Sequence, residues 1–202
     1  QDTGLSLLPL FHSFGAVANM LNPILMGACV VMLDAFSIDS IFKAIESEKI
    51  TYMTAVPRVY LGMILQEGTE KYDMSSLKYC VTGGSTMPPV YMPQFEKKFR
   101  VPIREGYGLT EASPVCSVTR LHMEQKPGSI GVPIPGVEAR IVDDAERELP
   151  PGEIGELIVR GPNIMKGYYK DEEATSLVLR NGWLHTGDLA LIDADGYIFL
   201  KG

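Results

Sequence analysis

Seven consecutive residues, Glu105-Gly106-Tyr107-Gly108-Leu109-Thr110-Glu111, hold the densest chemistry in the chain. Tyr107 offers an aromatic face, Thr110 a hydroxyl suited to a phosphate oxygen, and Glu111 an acidic oxygen suited to a hard cation such as Mg²⁺. Gly106 and Gly108 lack a Cβ, so backbone there can come close to a flat or bulky ligand. A ring, a hydroxyl and a carboxylate in that order fit a magnesium nucleotide. They also fit a tight turn with a core tyrosine and a helix-capping threonine. Thr82-Gly83-Gly84-Ser85-Thr86 lies where a predicted strand hands over to a helix, the end of an α/β sheet at which ligands collect. Its glycines suit the edge or face of an adenine, and equally a plain turn. With no Gly-Lys-Ser/Thr and no G-x-G-x-x-G, it is neither a P-loop nor a dinucleotide fingerprint. In Thr186-Gly187-Asp188, an Asp held after a glycine turn can accept two hydrogen bonds from a ribose diol, or can close the turn on its own backbone. His12, between aromatic residues just past a strand end, reads as a site residue or a hydrogen-bonded core histidine. Trp183 reads as core, His185 as a structural or surface neighbour, and Lys166 and Lys201 as solvated.

The elements that must position these residues follow from periodicity. Apolar positions 14, 17, 18, 21 and 25 fit a helix face that Pro23 should kink or end. Residues 28–33 form a continuous apolar run, as expected of a strand covered on both faces. Ser37 can cap a helix whose buried face is Ile38, Ile41, Phe42 and Ile45. Residues 51–56 read as a strand, and Pro57 suits the first turn of the helix after it. Residues 78–82 form the next strand, Pro88-Pro89 opens a helix with Met92, Phe95 and Phe99 inward, and residues 101–105 complete the series. Strands alternating with helices imply a parallel sheet with helices on its faces. Beyond Ser117, Pro-Gly pairs punctuate short strands. Residues 137–141 alternate apolar and polar, and Asp193-Ala194-Asp195-Gly196 separates two strands of a hairpin. The expected class is therefore α/β: a parallel sheet with flanking helices in residues 1–117, then a smaller, mostly antiparallel β subdomain in residues 118–202.

Composition narrows the function. With 202 residues, 46% hydrophobic and 21% charged, the chain can bury a substantial core. A net charge of −7 and the lack of a basic run argue against a nucleic-acid partner. No apolar run is long enough for a transmembrane helix, and no signal peptide is legible. Cys29, Cys80 and Cys116 are odd in number and widely spaced, which favours buried thiols in a reducing cytoplasm over disulfides or metal ligands. No Ser-His-Asp, Cys-His or metal-ligand arrangement fits the spacing.

Taken in order, these motifs resemble the acyl-adenylate-forming family: fatty acyl-CoA and aryl-CoA ligases, beetle luciferases and peptide-synthetase adenylation domains. The matching residues are Thr82-Gly83-Gly84-Ser85, Tyr107-Gly108-Leu109-Thr110-Glu111, and Gly155-Glu156-Leu157 through Gly161-Pro162 to Met165-Lys166-Gly167-Tyr168. Gly182-Trp183-Leu184-His185-Thr186-Gly187-Asp188 and Asp195-Gly196-Tyr197 complete the set, which spans almost the whole chain. The resemblance implies a two-step reaction. A carboxylate attacks the α-phosphate of Mg·ATP to give acyl-AMP and pyrophosphate, and coenzyme A then takes the acyl group. It implies that Gly84, Ser85 and Tyr107 line the adenine, with the Tyr107 ring on the base, and that Gly83, Gly106 and Gly108 join them in binding the nucleotide. Thr110 then holds phosphate, Glu111 holds Mg²⁺, and Asp188 binds the ribose hydroxyls. His12 and Phe14 match the aromatic stretch beside the carboxylate pocket, with Gly83 and Gly106 on its wall. Leu10-Phe11-His12-Ser13-Phe14 contains no acidic residue to pair with a substrate ammonium, so an apolar acid is expected. The residues around 105–115 and 152–157 look most like prokaryotic medium- to long-chain fatty acyl-CoA ligases. An aryl-acid-activating relative, or a non-catalytic nucleotide- or acyl-binding module, is the alternative. The family's Pro-Lys-Gly phosphate loop, its ribose-contacting Arg and its C-terminal domain are not in the sequence. The expectation is a central piece of a ligase, inactive alone, able to self-associate through exposed edges, and located in the cytoplasm or on a membrane periphery.

Overall fold

Strand and helix alternate through the first half of the chain, and the order of the strands in the sheet decides which loops can face a ligand. The computed structural model describes residues 1–201. Gln1–Glu105 forms one compact unit, and the chain from Gly106 onward a second. In the first unit, β1 (Thr3–Ser6) leads to a π-helical run, Gly15–Leu21, that continues into α1 (Asn22–Leu25). Then come β2 (Cys29–Met32), α2 (Ile38–Ser47), β3 (Tyr52–Ala55), α3 (Pro57–Leu65), β4 (Tyr79–Thr82), α4 (Tyr91–Phe99) and the start of β5 (Ile103–Gly108). The strands lie in the order β2-β1-β3-β4-β5, all parallel.

Local sequence sets these elements and the core fixes them. Ser37 accepts from Ser40 N and Ser40 Oγ accepts from Ser37 N, both at 3.0 Å, so the start of α2 is capped twice over. Phe42, Ile45, Met53, Tyr60, Met63, Phe95 and Ile103 are all fully buried in one cluster that joins α2, α3 and α4 to the sheet. Tyr60 brings a hydroxyl into that core and donates it to Val81 O at 2.8 Å, while its ring meets Phe95 edge-on.

Three local expectations are corrected. Pro23 does not end the helical run but sits where it changes from π to α, in the first turn of α1. The helix after Pro88-Pro89 begins only at Tyr91, because Pro88 O first closes a turn with Tyr91 N at 3.0 Å. The run at residues 28–33 supplies the edge strand β2, with Cys29 and Met32 exposed. An apolar run reports hydrophobicity on both faces but says nothing about a missing neighbour along one edge. Cys80 and Cys116 are buried as expected, and burial pushes the Cys116 thiol up to about 12.

The second unit is mostly β. The end of β5 pairs antiparallel with β6 (Val115–Val118), which pairs with β7 (Val132–Pro133). Next come β8 (Glu138–Val142), β9 (Gly155–Arg160), α5 (Glu172–Val178), β10 (Leu179–Arg180), β11 (Trp183–Ile192) and β12 (Ile198–Leu200). β11 pairs with β9, β10 and β12, and β9 with β8, all antiparallel. Leu157, Val159, Leu184, Ala190 and Ile198 face one core with Ala112, Cys116 and Ile130. Trp183 lies in a separate small cluster with Val142 and Ile158, and the guanidinium groups of Arg140 and Arg160 each lie over its ring. The architecture is thus a parallel sheet with flanking helices followed by a smaller, mostly antiparallel β part.

Candidate active site

The exit of β5 is shaped first by the chain's own packing. The β5–β6 ladder is irregular between Tyr107 and Gly108. A Cβ on Gly108 would lie 1.8 Å from the carbonyl oxygen of Pro114, so only glycine fits. The expected reason for this glycine, close approach of a ligand, is therefore preceded by an internal one. Gly106 is less tightly held, its Cβ position lying 3.2 Å from Ser117 O. Between these glycines the Tyr107 ring packs against the core of the second unit. Its hydroxyl donates to Asp188 Oδ2, 81 residues away in sequence. Burial, with the Asp188 carboxylate beside it, holds the phenol far above its ordinary range.

Asp188 reaches Tyr107 from a bulge, not from the glycine turn expected from the sequence. Between the pairs His185↔Ile158 and Leu189↔Glu156, the residues Thr186, Gly187 and Asp188 stand opposite Leu157 alone. Gly187 takes φ +75° there. Side chains replace the missing ladder bonds. Thr186 Oγ1 donates to Leu157 O at 2.7 Å and accepts from Asp188 N at 3.1 Å, and Glu156 accepts from Gly187 N at 3.1 Å. His185, read as a structural or surface neighbour, is buried and lies 2.8 Å from Glu156 Oε2 through Nδ1. Glu156 and Thr186 thus build the bulge; sequence reading assigned them no role, and only the ladder register reveals it.

Thr110, Glu111 and Ala112 form one 3-10 turn after β5. The segment after β9 clamps that turn from outside. Asn163 Nδ2 donates to Ala112 O and Val115 O at 2.9 Å each, and Met165 N donates to Glu111 O at 2.7 Å. The Tyr168 hydroxyl donates to Glu111 Oε1 at 2.8 Å. Tyr168 sat in a stretch already matched by motif, yet nothing in the sequence ties it to Glu111.

In the first unit, Gly83 is buried at the end of β4, while Gly84 and Ser85 are exposed in the loop beyond. Gly84 adopts φ +82°, and the Cβ it lacks would meet Val56 at 3.6 Å and the Phe14 ring at 3.9 Å. Phe14 and this loop therefore share one corner of the unit. His12 is exposed, and its Nδ1 accepts from Phe14 N at 3.1 Å, which restrains the ring. Glu105, at 1% exposure, stands in register with Thr82 and accepts from Met87 N at 2.8 Å. Burial pushes its carboxyl up to about 7, against the pull of that N–H.

Chemically, the second unit offers an aromatic face joined to a carboxylate at Tyr107 and Asp188, and a hydroxyl beside a second carboxylate at Thr110 and Glu111. Among the described residues no group of three or more His, Cys, Asp or Glu side chains is placed to hold a metal ion. A single carboxylate is nonetheless the protein share that suits Mg²⁺ arriving on phosphates, since that ion keeps waters and phosphate oxygens around it. The donor set at Glu111 fits such an ion.

A parallel α/β sheet with glycine loops beyond its strands, followed by a β part with the Tyr107–Asp188 pair, defines an adenylate-forming fold. Residues 1–169 match the model of the AMP-binding enzyme family, and the chain belongs to that family. It is 39% identical over 197 residues to a long-chain-fatty-acid–CoA ligase of Bacillus subtilis (strain 168), covering 97% of this chain and 35% of that protein. An anthranilate CoA ligase in complex with anthranoyl-AMP superposes with a TM-score of 0.92 at 29% identity, covering 99% of this chain and 39% of that one. An O-succinylbenzoate coenzyme A synthetase from Bacillus subtilis, in complex with ATP and magnesium ion, gives 0.87 at 30% identity, covering 98% and 41%. The chain thus spans well under half the length of these relatives. No helix among the described residues is long and apolar enough to cross a membrane.

Proposed function

We propose that this chain carries the adenylate site of an ATP-dependent acid–thiol ligase that activates an apolar, fatty carboxylic acid as its acyl adenylate and passes the acyl group to coenzyme A. The contact between Tyr107 and Asp188 carries the reading. It joins a flat ring, suited to a purine, to a carboxylate that can accept from both hydroxyls of a ribose. In this scheme Gly106 and Gly108 flank the base. Thr110 donates to a phosphate oxygen, and Glu111 takes the Mg²⁺ ion, whose charge offsets that of the phosphates. The protein's part is to hold the α-phosphate and the attacking carboxylate in line. His12 and Phe14 border the acyl group. Phe14 beside Gly84 and Val56 makes that corner apolar, which suits a hydrocarbon chain and would penalise an ammonium.

An aryl acid is the second reading. The superposition on an anthranilate ligase favours it. The test is calorimetric titration with AMP, followed by a dodecanoyl and a benzoyl sulfamoyl-adenosine. Asp188→Ala is expected to weaken AMP about tenfold to a hundredfold, the cost of charge-assisted hydrogen bonds. Unchanged AMP affinity in that variant would sink the adenylate reading. Tighter binding of the benzoyl than of the dodecanoyl compound would replace the fatty acid by an aryl one.

A further inference from the structure

We infer that Tyr168 is a positioning residue that sets the cation preference of Glu111 by occupying one of its two carboxylate oxygens. This rests on the nucleotide reading above and deepens it. The Tyr168 hydroxyl donates to Glu111 Oε1 at 2.8 Å, which leaves Oε2 for a cation. Burial does not force that contact, because Tyr168 is 38% exposed and its neighbour Tyr169 88%. The surrounding chain is instead built to hold it. Tyr168 N donates to Thr175 Oγ1 at 2.9 Å, and that hydroxyl donates to Asp171 O at 2.6 Å. Asp171 in turn caps α5 through Ala174 N at 2.9 Å. Gly167 bends the chain with φ +147°, where a Cβ would press on Thr175 at 2.9 Å. The backbone of the turn that carries Glu111 is tied to the same segment, since Met165 N donates to Glu111 O at 2.7 Å and Asn163 bridges Ala112 O and Val115 O. The main chain that carries the phenol and the main chain that carries the carboxylate are thus each held in place, which sets the two side chains within reach of each other.

The consequence follows from ion size. Mg²⁺ takes oxygens in near-ideal octahedral geometry at about 2.0–2.1 Å, which one carboxylate oxygen satisfies. Ca²⁺ is larger, accepts about six to eight ligands, and readily takes both oxygens of one carboxylate. A phenol seated on Oε1 denies the second mode. Removing it opens Glu111 to bidentate capture and should bring Ca²⁺ up against Mg²⁺. Partners that orient a metal-binding carboxylate typically alter metal affinity about tenfold to a hundredfold when lost.

The experiment uses the chain as it stands, with fluorescent N-methylanthraniloyl-ATP titrated in Mg²⁺, in Ca²⁺ and without divalent cation. In Tyr168→Phe the ratio of Mg²⁺- to Ca²⁺-supported affinity is expected to fall about tenfold, with cation-free affinity unchanged. Glu111→Gln should abolish the cation dependence in both backgrounds. Hydrogen exchange over residues 163–169 and a thermal melt show whether the Phe variant keeps its fold. A ratio unchanged in a folded Tyr168→Phe overturns the inference and leaves the adenylate reading intact. A wild-type chain whose nucleotide binding ignores divalent cations overturns both.

Discussion

Glu105 gives the sharpest quantitative test of the structure. Its carboxyl is almost fully buried at the end of the parallel strands and is raised from 4.5 to about 7. The folded form therefore holds the proton more tightly than the unfolded chain. Between about pH 4.5 and 7 the native state carries more protons, so stability falls as pH rises, and above 7 the full penalty applies. At about 1.36 kcal/mol per pKa unit, the loss between pH 4.5 and 8 is about 3 kcal/mol. Glu105→Gln keeps an acceptor for Met87 N and has nothing to titrate. The variant should gain on the wild type by about that amount across the window, and the gap should close below pH 4.5. Urea unfolding at half-unit pH steps measures it, followed by far-ultraviolet circular dichroism because α2, α3 and α4 all lie in the first unit. Fluorescence of Trp183, the only tryptophan, follows the second unit as an internal control. A stability difference that stays flat from pH 5 to 8 would show that water reaches the carboxyl, and the burial argument would fail.

Two further substitutions probe the second unit. Gly108→Ala drives a methyl into the Pro114 carbonyl and should cost about 3 kcal/mol, read as a lower urea midpoint of the Trp183 signal; an unchanged midpoint would mean the β5–β6 crossing relaxes freely. Thr186→Val removes a donor to Leu157 O and an acceptor for Asp188 N, and should cost about 1–3 kcal/mol with faster amide exchange at Asp188. Wild-type exchange there would rule out the threonine as the prop of the bulge.

Much of the fold was legible because it rests on local rules. The Ser37 cap, the apolar face of α2 and the Pro57 start each follow from a few adjacent residues, and each appears where periodicity put it. The hairpin turn also follows locally, with Asp193 accepting from Asp195 N and Tyr197 N at 2.9 Å each. What escaped depends on partners far along the chain. The exposure of Cys29 depends on β2 having only one neighbour, which its own residues cannot encode. At the candidate site, Tyr107, Glu111 and Asp188 were singled out as candidates by residue type. Tyr168 and Thr186 were not, since each acts through a contact 57 or 29 residues distant. Gly108 has a packing reason that its neighbours in sequence do not announce, because a carbonyl six positions on lies where its Cβ would stand.

The excursion in β11 has an arithmetic consequence. Three residues face one, a surplus of two, so the in–out alternation of side chains resumes in phase and Leu184 and Ala190 both reach the same interior. Evolution can therefore rewrite Thr186, Gly187 and Asp188 without disturbing the parity of the strand. Removing a single residue here would instead turn every later side chain of the strand inside out, whereas removing two would merely flatten it and silence the carboxylate.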